Sequence, residues 1–198
     1  MIGQREETVL DRAIVMAVQA HSGTMRKKEG IPYILHPMEA AVIAGTLTDD
    51  IEVLAAAVLH DTVEDTGLTL EEIRAACGER VAALVASETE NKRYDLPQGE
   101  TWKIRKQESL EELRNAESRA TRILWMADKL SNMRSIYRLW LDQGDALWNG
   151  FNENRVSEQA WYYRSVAALL ADLKETEAWK EYNGLVETIF GGQNHAES

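Results

Sequence analysis

The sequence predicts a single all-α domain, a bundle of roughly eight to ten helices. Three observations carry that prediction. Pro32, Pro37 and Pro97 are the only prolines, and all lie in the first half of the chain. Glycines are scattered singly until Gly191-Gly192, so long stretches contain no helix breaker. Those stretches repeat apolar residues at helical spacing, whereas β-branched residues never alternate over a length that would make a strand.

The elements follow in order. Residues 5–20 place Val9, Leu10, Ala13, Ile14, Ala17 and Val18 on one face, with Glu7, Asp11 and Arg12 opposite. Pro37 opens a helix over 37–47, in the first turn where proline is tolerated. Asp49 or Asp50 caps a third over 51–61, rich in alanine and therefore closely packed. Thr69-Leu-Glu-Glu72 is a capping-box pattern that starts a fourth, and Gly78 ends it. A fifth covers 79–88. The polar stretch 89–100, with Pro97 and Gly99, reads as a surface loop. Helices over 101–116, 118–143, 155–174 and 176–190 complete the domain, which spans 1–190. Residues 191–198 read as a flexible tail.

Composition narrows the function. The 198 residues include 22 Lys plus Arg and 33 Asp plus Glu, a formal net charge of −11. That balance disfavours binding to nucleic acid or to an anionic membrane, because a polyanion needs clustered positive charge. Cys77 is the only cysteine, which excludes a disulfide within the chain and favours a reducing, cytoplasmic setting. It reads as a small buried packing residue. No apolar run approaches the ~18 residues of a membrane span. The N-terminal MIGQREETVLDR is charged where a signal peptide is apolar. Neither a Walker-type loop nor Gly-x-Gly-x-x-Gly is present, so no glycine loop cradles phosphate. The six tryptophans all lie after residue 101, and several, including Trp125 and Trp140, fall at helical core positions.

Three clusters carry chemistry. An apolar helix, VLAAAVLH, ends abruptly in His60-Asp61-Thr-Val-Glu64-Asp65. Buried charge needs a partner or a metal ion, although the same acids also suit a helix end emerging into water. His36 is bracketed by Pro32 and Pro37, which stiffen its backbone at the mouth of the next helix. Asp128 and Asn132 sit one turn apart in an apolar run, facing the same way. Taken alone, Asp128 reads as an ion-pair partner of Arg122, Lys129 or Arg134. Together, His36, His60, Asp61 and Asp128 form an N2O2 donor set suited to Mn, Fe, Co or Zn. Adjacent residues on a helix point ~100° apart, so His60 and Asp61 share an ion only at the helix edge.

His60-Asp61 resembles the dyad of the HD-domain metal-dependent phosphohydrolases. The surrounding text is more specific: HSGTMRKKEGIPYILHP at 21–37, AAAVLHDTVEDTGLTLEEI at 55–73 and MADKLSNMRS at 126–135. These segments resemble the (p)ppGpp hydrolase domain of the Rel/SpoT alarmone enzymes and their small stand-alone relatives. The resemblance implies that His36, His60, Asp61 and Asp128 are metal ligands, most readily for Mn²⁺. It casts Glu64 and Asp65 in acid–base and water-positioning roles. It implies that Arg26 and Lys27 hold base and phosphates and that Asn132 contacts the nucleotide. The implied reaction is hydrolysis of the 3′-pyrophosphate of (p)ppGpp by a metal-activated water, giving GDP or GTP and pyrophosphate.

Departures from the family pattern are Thr24 for its usual glutamine, and Lys129 and Ser131 for the arginine and histidine of the long enzymes. Trp161-Tyr162-Tyr163 falls where a substrate-contacting tyrosine is expected, and equally reads as core. Lys28 belongs with the phosphate-neutralising residues, while Lys92, Arg93, Arg105 and Lys106 read as solvated surface charges. Two other functions remain open: an HD phosphohydrolase of another nucleotide, such as a nucleoside monophosphate or NADPH, and a non-catalytic nucleotide sensor. Charge is segregated along the chain. Residues 49–72 carry eight acids and no Lys or Arg, while 119–138 carry five basic residues against Asp128 alone.

Overall fold

Capping residues set where the helices begin. The computed structural model describes residues 6–193 apart from Lys27 and Tyr94. Helix α1 (Val9–Ala20) starts at Thr8, whose hydroxyl accepts from the Asp11 N–H while the Asp11 carboxylate accepts from the Thr8 N–H. The helix therefore begins later than apolar spacing alone predicts. Its inward face holds Ala13 and Ala17, but Val18, expected beside them, is 48% exposed. Helix α2 (Leu35–Gly45) starts two residues before Pro37, which stays within the first turn, where its missing N–H is not needed.

Helix α3 (Ile51–Leu59) is capped by Asp50 and stops at Leu59, short of the expected residue 61. His60 and Asp61 form the joint to a one-turn helix, α4 (Thr62–Asp65). The Thr62 hydroxyl donates to the Leu59 carbonyl and satisfies one acceptor at this break. Helix α5 (Leu70–Cys77) opens on the expected Thr69–Glu72 capping box and ends at Gly78, whose φ of 96° favours glycine. Helix α6 (Glu79–Ala86) follows directly.

Helix α7 (Gln98–Asn115) begins right after Pro97, earlier than expected, because proline is tolerated at a helix entry. Helix α8 (Arg119–Gln143) is 25 residues long and gives way to a 3₁₀ segment, Gly144–Gly150, that sequence did not signal. Helix α9 (Val156–Leu169) ends before the expected residue 174 in a 3₁₀ turn, Ala171–Leu173. Helix α10 (Glu177–Phe190) is capped by Thr176, and Gly191–Gln193 form a last 3₁₀ turn. Residues 194–198 of the expected tail lie outside the described residues.

Sequence also missed a small hairpin. Strands β1 (Met25–Arg26) and β2 (Ile31–Pro32) pair antiparallel, with Met25 opposite Pro32 and Arg26 opposite Ile31. Two-residue strands are too short to leave a period-2 signal.

Helix α3 lies at the centre, with Ala55 through Leu59 all buried, and packs against α1, α2, α6 and α8. A helix that is apolar on every side has to be a core helix. Small alanines let its neighbours approach closely, and the long α8 crosses behind it, gripping α2 and α10. Leu59, Leu124, Leu130 and Met133 are fully buried, each stabilising the fold by roughly 1.5–3 kcal/mol. Cys77 is buried and free, as expected. Trp125 is buried and Trp140 packs partly against the core. This centre holds His60 at the end of α3 against His36 at the start of α2 and Asp128 in the middle of α8.

Candidate metal centre

Four donor atoms converge where α2, α3 and α8 meet. His36 Nε2 lies 3.3 Å from His60 Nε2, 3.1 Å from Asp128 Oδ1 and 3.3 Å from Asp61 Oδ2. His60 Nε2 lies 3.3 Å from Asp61 Oδ2 and 3.4 Å from Asp128 Oδ1. His36, His60 and Asp128 are buried. Donors about 2.1 Å from one ion, at octahedral to tetrahedral angles, stand about 3.0–3.4 Å apart. The observed separations match that edge length.

His60 and Asp61 both keep right-handed helical backbone angles, φ/ψ of −54°/−40° and −89°/−7°, so the adjacent pair meets one point only at the helix edge, with His36 and Asp128 arriving from α2 and α8.

The imidazole tautomers fit a cation. His60 Nδ1–H donates to the Ala57 carbonyl at 2.8 Å. Ser131 Oγ donates to Glu39 Oε2 at 2.7 Å and so accepts from His36 Nδ1–H, also 2.8 Å away. Each ring therefore turns an Nε2 lone pair toward the other and toward two carboxylate oxygens. Four electron-rich atoms this close, out of water, demand positive charge. The titration behaviour says the same: burial opposes charge on His60, yet Asp61 and Asp128 raise its proton affinity well above the usual imidazole range. Burial likewise opposes charge on Asp61 and Asp128. The imidazoles facing both, with Lys129 beside Asp128, nevertheless hold the two carboxyls well below the usual carboxylate range. Asp128 thus pairs with Lys129, one of the three partners open from sequence. Arg122 instead binds Asp172, and Arg134 binds Glu39 and Glu181.

Around this cluster is a compartment of about 170 Å³. Tyr33 OH lies 2.7 Å from both Asp61 Oδ2 and Asp65 Oδ2, which ties Asp65 to the cluster. Tyr33 in turn stacks on His21 with centroids 4.8 Å apart. Glu64 accepts from the Glu90 N–H and pairs with Lys92 at 2.6 Å. Burial raises the Glu64 pKa, against the opposing pull of Lys92. Among the described residues, neither carboxylate oxygen of the buried Glu88 finds a hydrogen-bond partner, and Lys129 Nζ lies 3.7 Å away. Burial and then Asp128 push Glu88 up to about 8.

A larger cleft of about 870 Å³ opens beside it and shares Tyr33, Asp65 and Asn132 with the cluster's compartment. Arg26, on β1, donates to Asn132 Oδ1 at 2.8 Å, and Asn132 donates to Asp128 Oδ1 at 2.6 Å. The cleft is thereby coupled to the cluster through α8. Lys28 Nζ lies 2.7 Å from the Phe151 ring centroid, and burial, then Arg26, brings its pKa down to about 8. Lys27 lies outside the described residues.

The charges read from sequence as solvated are a correction. Arg105 is 4% exposed and pairs with Glu90, which also binds Lys106 at 2.7 Å and Ser109. Lys92 is drawn onto Glu64, and only Arg93 keeps to a surface pair, with Glu108. The loop 89–100 folds over the acids of the site, and the cations follow it inward. Sequence reasoning gave no role to Tyr33, although it lies inside the quoted motif three residues before His36. Glu88 carried no signal, since a glutamate at the end of an amphipathic helix looks solvated. Tyr162 and Tyr163 are buried and also line cavities beside the cluster, so both readings of that triplet apply.

An all-α bundle that gathers two imidazoles and two carboxylates at the end of its central helix defines an HD-type metal-binding domain. The chain belongs to the HD domain family, whose family model matches residues 13–147. It is similar to the GTP pyrophosphokinase rsh of Brucella ovis, 38% identical over 132 residues, and spans 17% of that protein's length against 66% of its own. It is similar over most of both chains to the guanosine-3′,5′-bis(diphosphate) 3′-pyrophosphohydrolase MESH1 of Danio rerio. There the identity is 34% over 174 residues, covering 86% of this chain and 87% of the relative. Among solved structures, lmo0812 of Listeria monocytogenes EGD-e superposes with a TM-score of 0.69 at 34% identity, over 81% of this chain and 96% of that one. A metazoan ortholog of SpoT that hydrolyzes ppGpp shares the fold, with a TM-score of 0.70 at 22% identity over 97% of this chain and 99% of that one.

Proposed function

We propose that this chain is a divalent-metal-dependent phosphohydrolase that removes the 3′-pyrophosphate of (p)ppGpp, giving GDP or GTP and pyrophosphate. The observation that carries the reading is the convergence of four donor atoms within 3.1–3.4 Å beside a cleft large enough for a nucleotide. The activity of the Danio rerio relative, matched over 87% of its length, supports the same chemistry.

His36, His60, Asp61 and Asp128 hold the ion, and their mixed nitrogen and oxygen set suits Mn²⁺. Such an ion acts as a Lewis acid, lowering the pKa of water and polarising a phosphoryl group. Glu64, with its raised pKa, takes the proton from the attacking water, and Asp65, held by Tyr33, orients that water. Arg26 and Asn132 orient the nucleotide in the cleft, and Lys27 and Lys28 add positive charge for its phosphates. Residues 1–190 act as one catalytic unit. A small guanine nucleotide in the cytoplasm is the partner, and nucleic acid is not. Among the described residues, no helix is long and apolar enough to cross a membrane.

The test is a hydrolysis screen of purified protein with Mn²⁺ against ppGpp, NADPH and nucleoside monophosphates, with products resolved by ion exchange. The reading expects GDP and pyrophosphate from ppGpp at a rate well above the others. Comparable rates on all three would reject the alarmone assignment.

A further inference from the structure

We propose that a compartment of about 220 Å³ beside the metal cluster is the subsite for the distal phosphate of the 3′-diphosphate, held by Lys106 and Lys129. The inference rests on the hydrolase reading above and adds the part of the substrate that reading leaves unplaced.

The wall of this compartment has an unusual charge. Lys106, Lys129, Asn132 and Gln159 line it together with Trp102 and Tyr162, and among the described residues no aspartate or glutamate does. The chain as a whole carries −11, and the adjoining cluster compartment is lined by six carboxylates, Asp61, Glu64, Asp65, Glu88, Glu90 and Asp128. Positive charge is thus concentrated on one side of an acidic centre.

The two compartments share Lys106, Lys129, Asn132 and Tyr162 as a common boundary. An anion with one phosphorus at the cluster and a second phosphate beyond it crosses a boundary to which both lysines belong. On its other side the compartment shares Trp102, Asn132, Phe151 and Tyr163 with the large cleft, which takes the nucleoside. Its volume is several times the ~30 Å³ share of a water molecule.

The lysines are placed rather than free. Lys106 Nζ rests on Glu90 at 2.7 Å, and Glu90 also carries Arg105, so two cations share one carboxylate and a net positive charge remains. Lys129 bonds Asp128, whose charge is committed to the cluster, and lies 4.6 Å from the Trp125 ring centroid. Tyr162 and Tyr163 contribute phenol groups to the same wall.

In the reaction, the oxygen of water joins the first phosphorus and the bond from that phosphorus to the ribose 3′ oxygen breaks. One proton of the water ends on the 3′ oxygen, leaving a 3′ hydroxyl and free pyrophosphate. With its distal phosphate held by the lysines, the 3′-diphosphate is presented with its first phosphorus at the cluster. A 3′-monophosphate gains nothing from this subsite, so the compartment makes the enzyme selective for diphosphate esters.

The experiment compares wild type with Lys106→Met, which leaves Glu90 paired with Arg105, and with Lys106→Arg, which keeps the charge. For each protein, kcat/KM is measured with Mn²⁺ on ppGpp and on guanosine 5′-diphosphate 3′-monophosphate. Pyrophosphate and orthophosphate binding are titrated calorimetrically at the same Mn²⁺ concentration. The expected result is a loss on ppGpp at least tenfold greater than the loss on the 3′-monophosphate in Lys106→Met. Pyrophosphate binding should weaken at least tenfold, with partial rescue of both by Lys106→Arg. Equal losses on the two substrates, or unchanged pyrophosphate affinity, would overturn the subsite. Wild type inert toward both nucleotides would instead defeat the hydrolase reading, and the pyrophosphate titration would still decide the subsite.

Discussion

Replacing Ser131 with alanine removes a single oxygen, yet it should loosen the metal centre from behind. Ser131 is fully buried on α8, and its hydroxyl stands between His36 Nδ1 and Glu39 Oε2, at 2.8 and 2.7 Å. Without it the His36 Nδ1–H has no acceptor, and the ring loses what fixes its tautomer and aims Nε2 at the cluster. The Glu39 side chain is 26% exposed and already meets Arg134, so the carboxylate recovers its partner from water. The cost therefore falls on the imidazole. Stranding one buried donor costs about 1–3 kcal/mol. At about 1.4 kcal/mol per decade, that is a loss of roughly 5- to 150-fold in metal affinity. The range brackets the loss of about 10- to 100-fold typical when a partner behind a metal ligand is removed. Titration calorimetry of Mn²⁺ into both proteins measures it directly, and Glu39→Gln, which keeps an acceptor for Ser131, should cost far less. An affinity within twofold of wild type in Ser131→Ala, with an unchanged melting temperature, would refute the argument that Ser131 orients His36.

Other expectations concern the ligands and the charges around them. Asp61→Ala and Asp128→Ala should each lose Mn²⁺ binding and hydrolysis while far-UV circular dichroism stays helical; full ppGpp hydrolysis by Asp61→Ala in chelated buffer would exclude the proposed mechanism. Burial pushes the Glu90 carboxyl up, but Lys106 and Arg105 outweigh it and hold it at about 2, below its usual 4.5. A depressed carboxylate stabilises the fold above its unfolded pKa, and that contribution, about 3 kcal/mol, is lost as pH falls from 4.5 toward 2. Urea titrations across that window should therefore show a shallower pH slope for Glu90→Gln than for wild type. Lys28 loses its charge as pH rises through about 8, so KM for ppGpp should climb between pH 7 and 9. In Lys28→Arg, whose guanidinium stays charged, the climb should vanish, and identical pH profiles would remove Lys28 from phosphate binding.

Most helices and all four proposed ligands were legible in the sequence because they depend on local text. Apolar spacing, the Thr69–Glu72 box and Gly78 act within a few residues, and His36, His60-Asp61 and Asp128 each sit in a distinctive short segment. What sequence hid depends on contacts between distant segments. Arg105 and Lys106 look like ordinary surface cations of a polar helix until Glu90, some fifteen residues earlier in the chain, folds back onto them. Glu88 becomes unusual only because α8 brings Asp128 and Lys129 against it. The end of α3 at Leu59 escaped notice for another reason: VLAAAVLHD has no breaker, and Thr62 bonding back to Leu59 accompanies the turn. The 3₁₀ segment Gly144–Gly150 likewise lacks a periodic signature at that length.

The β1–β2 hairpin is anchored differently from the metal cluster it overlooks. Its ties to the rest of the fold include Arg26 on Asn132, Glu29 on Arg138 and Lys28 over Phe151, polar or charged contacts in which the Glu29 side chain is 9% exposed and Arg138 51%. The cluster is bound to the core by the apolar faces of α2, α3 and α8. Dissolved ions screen exposed charges beyond about 10 Å at 0.1 M salt and barely touch buried ones. Ionic strength should therefore weigh more on the hairpin's half-exposed partner Arg138 than on the buried cluster.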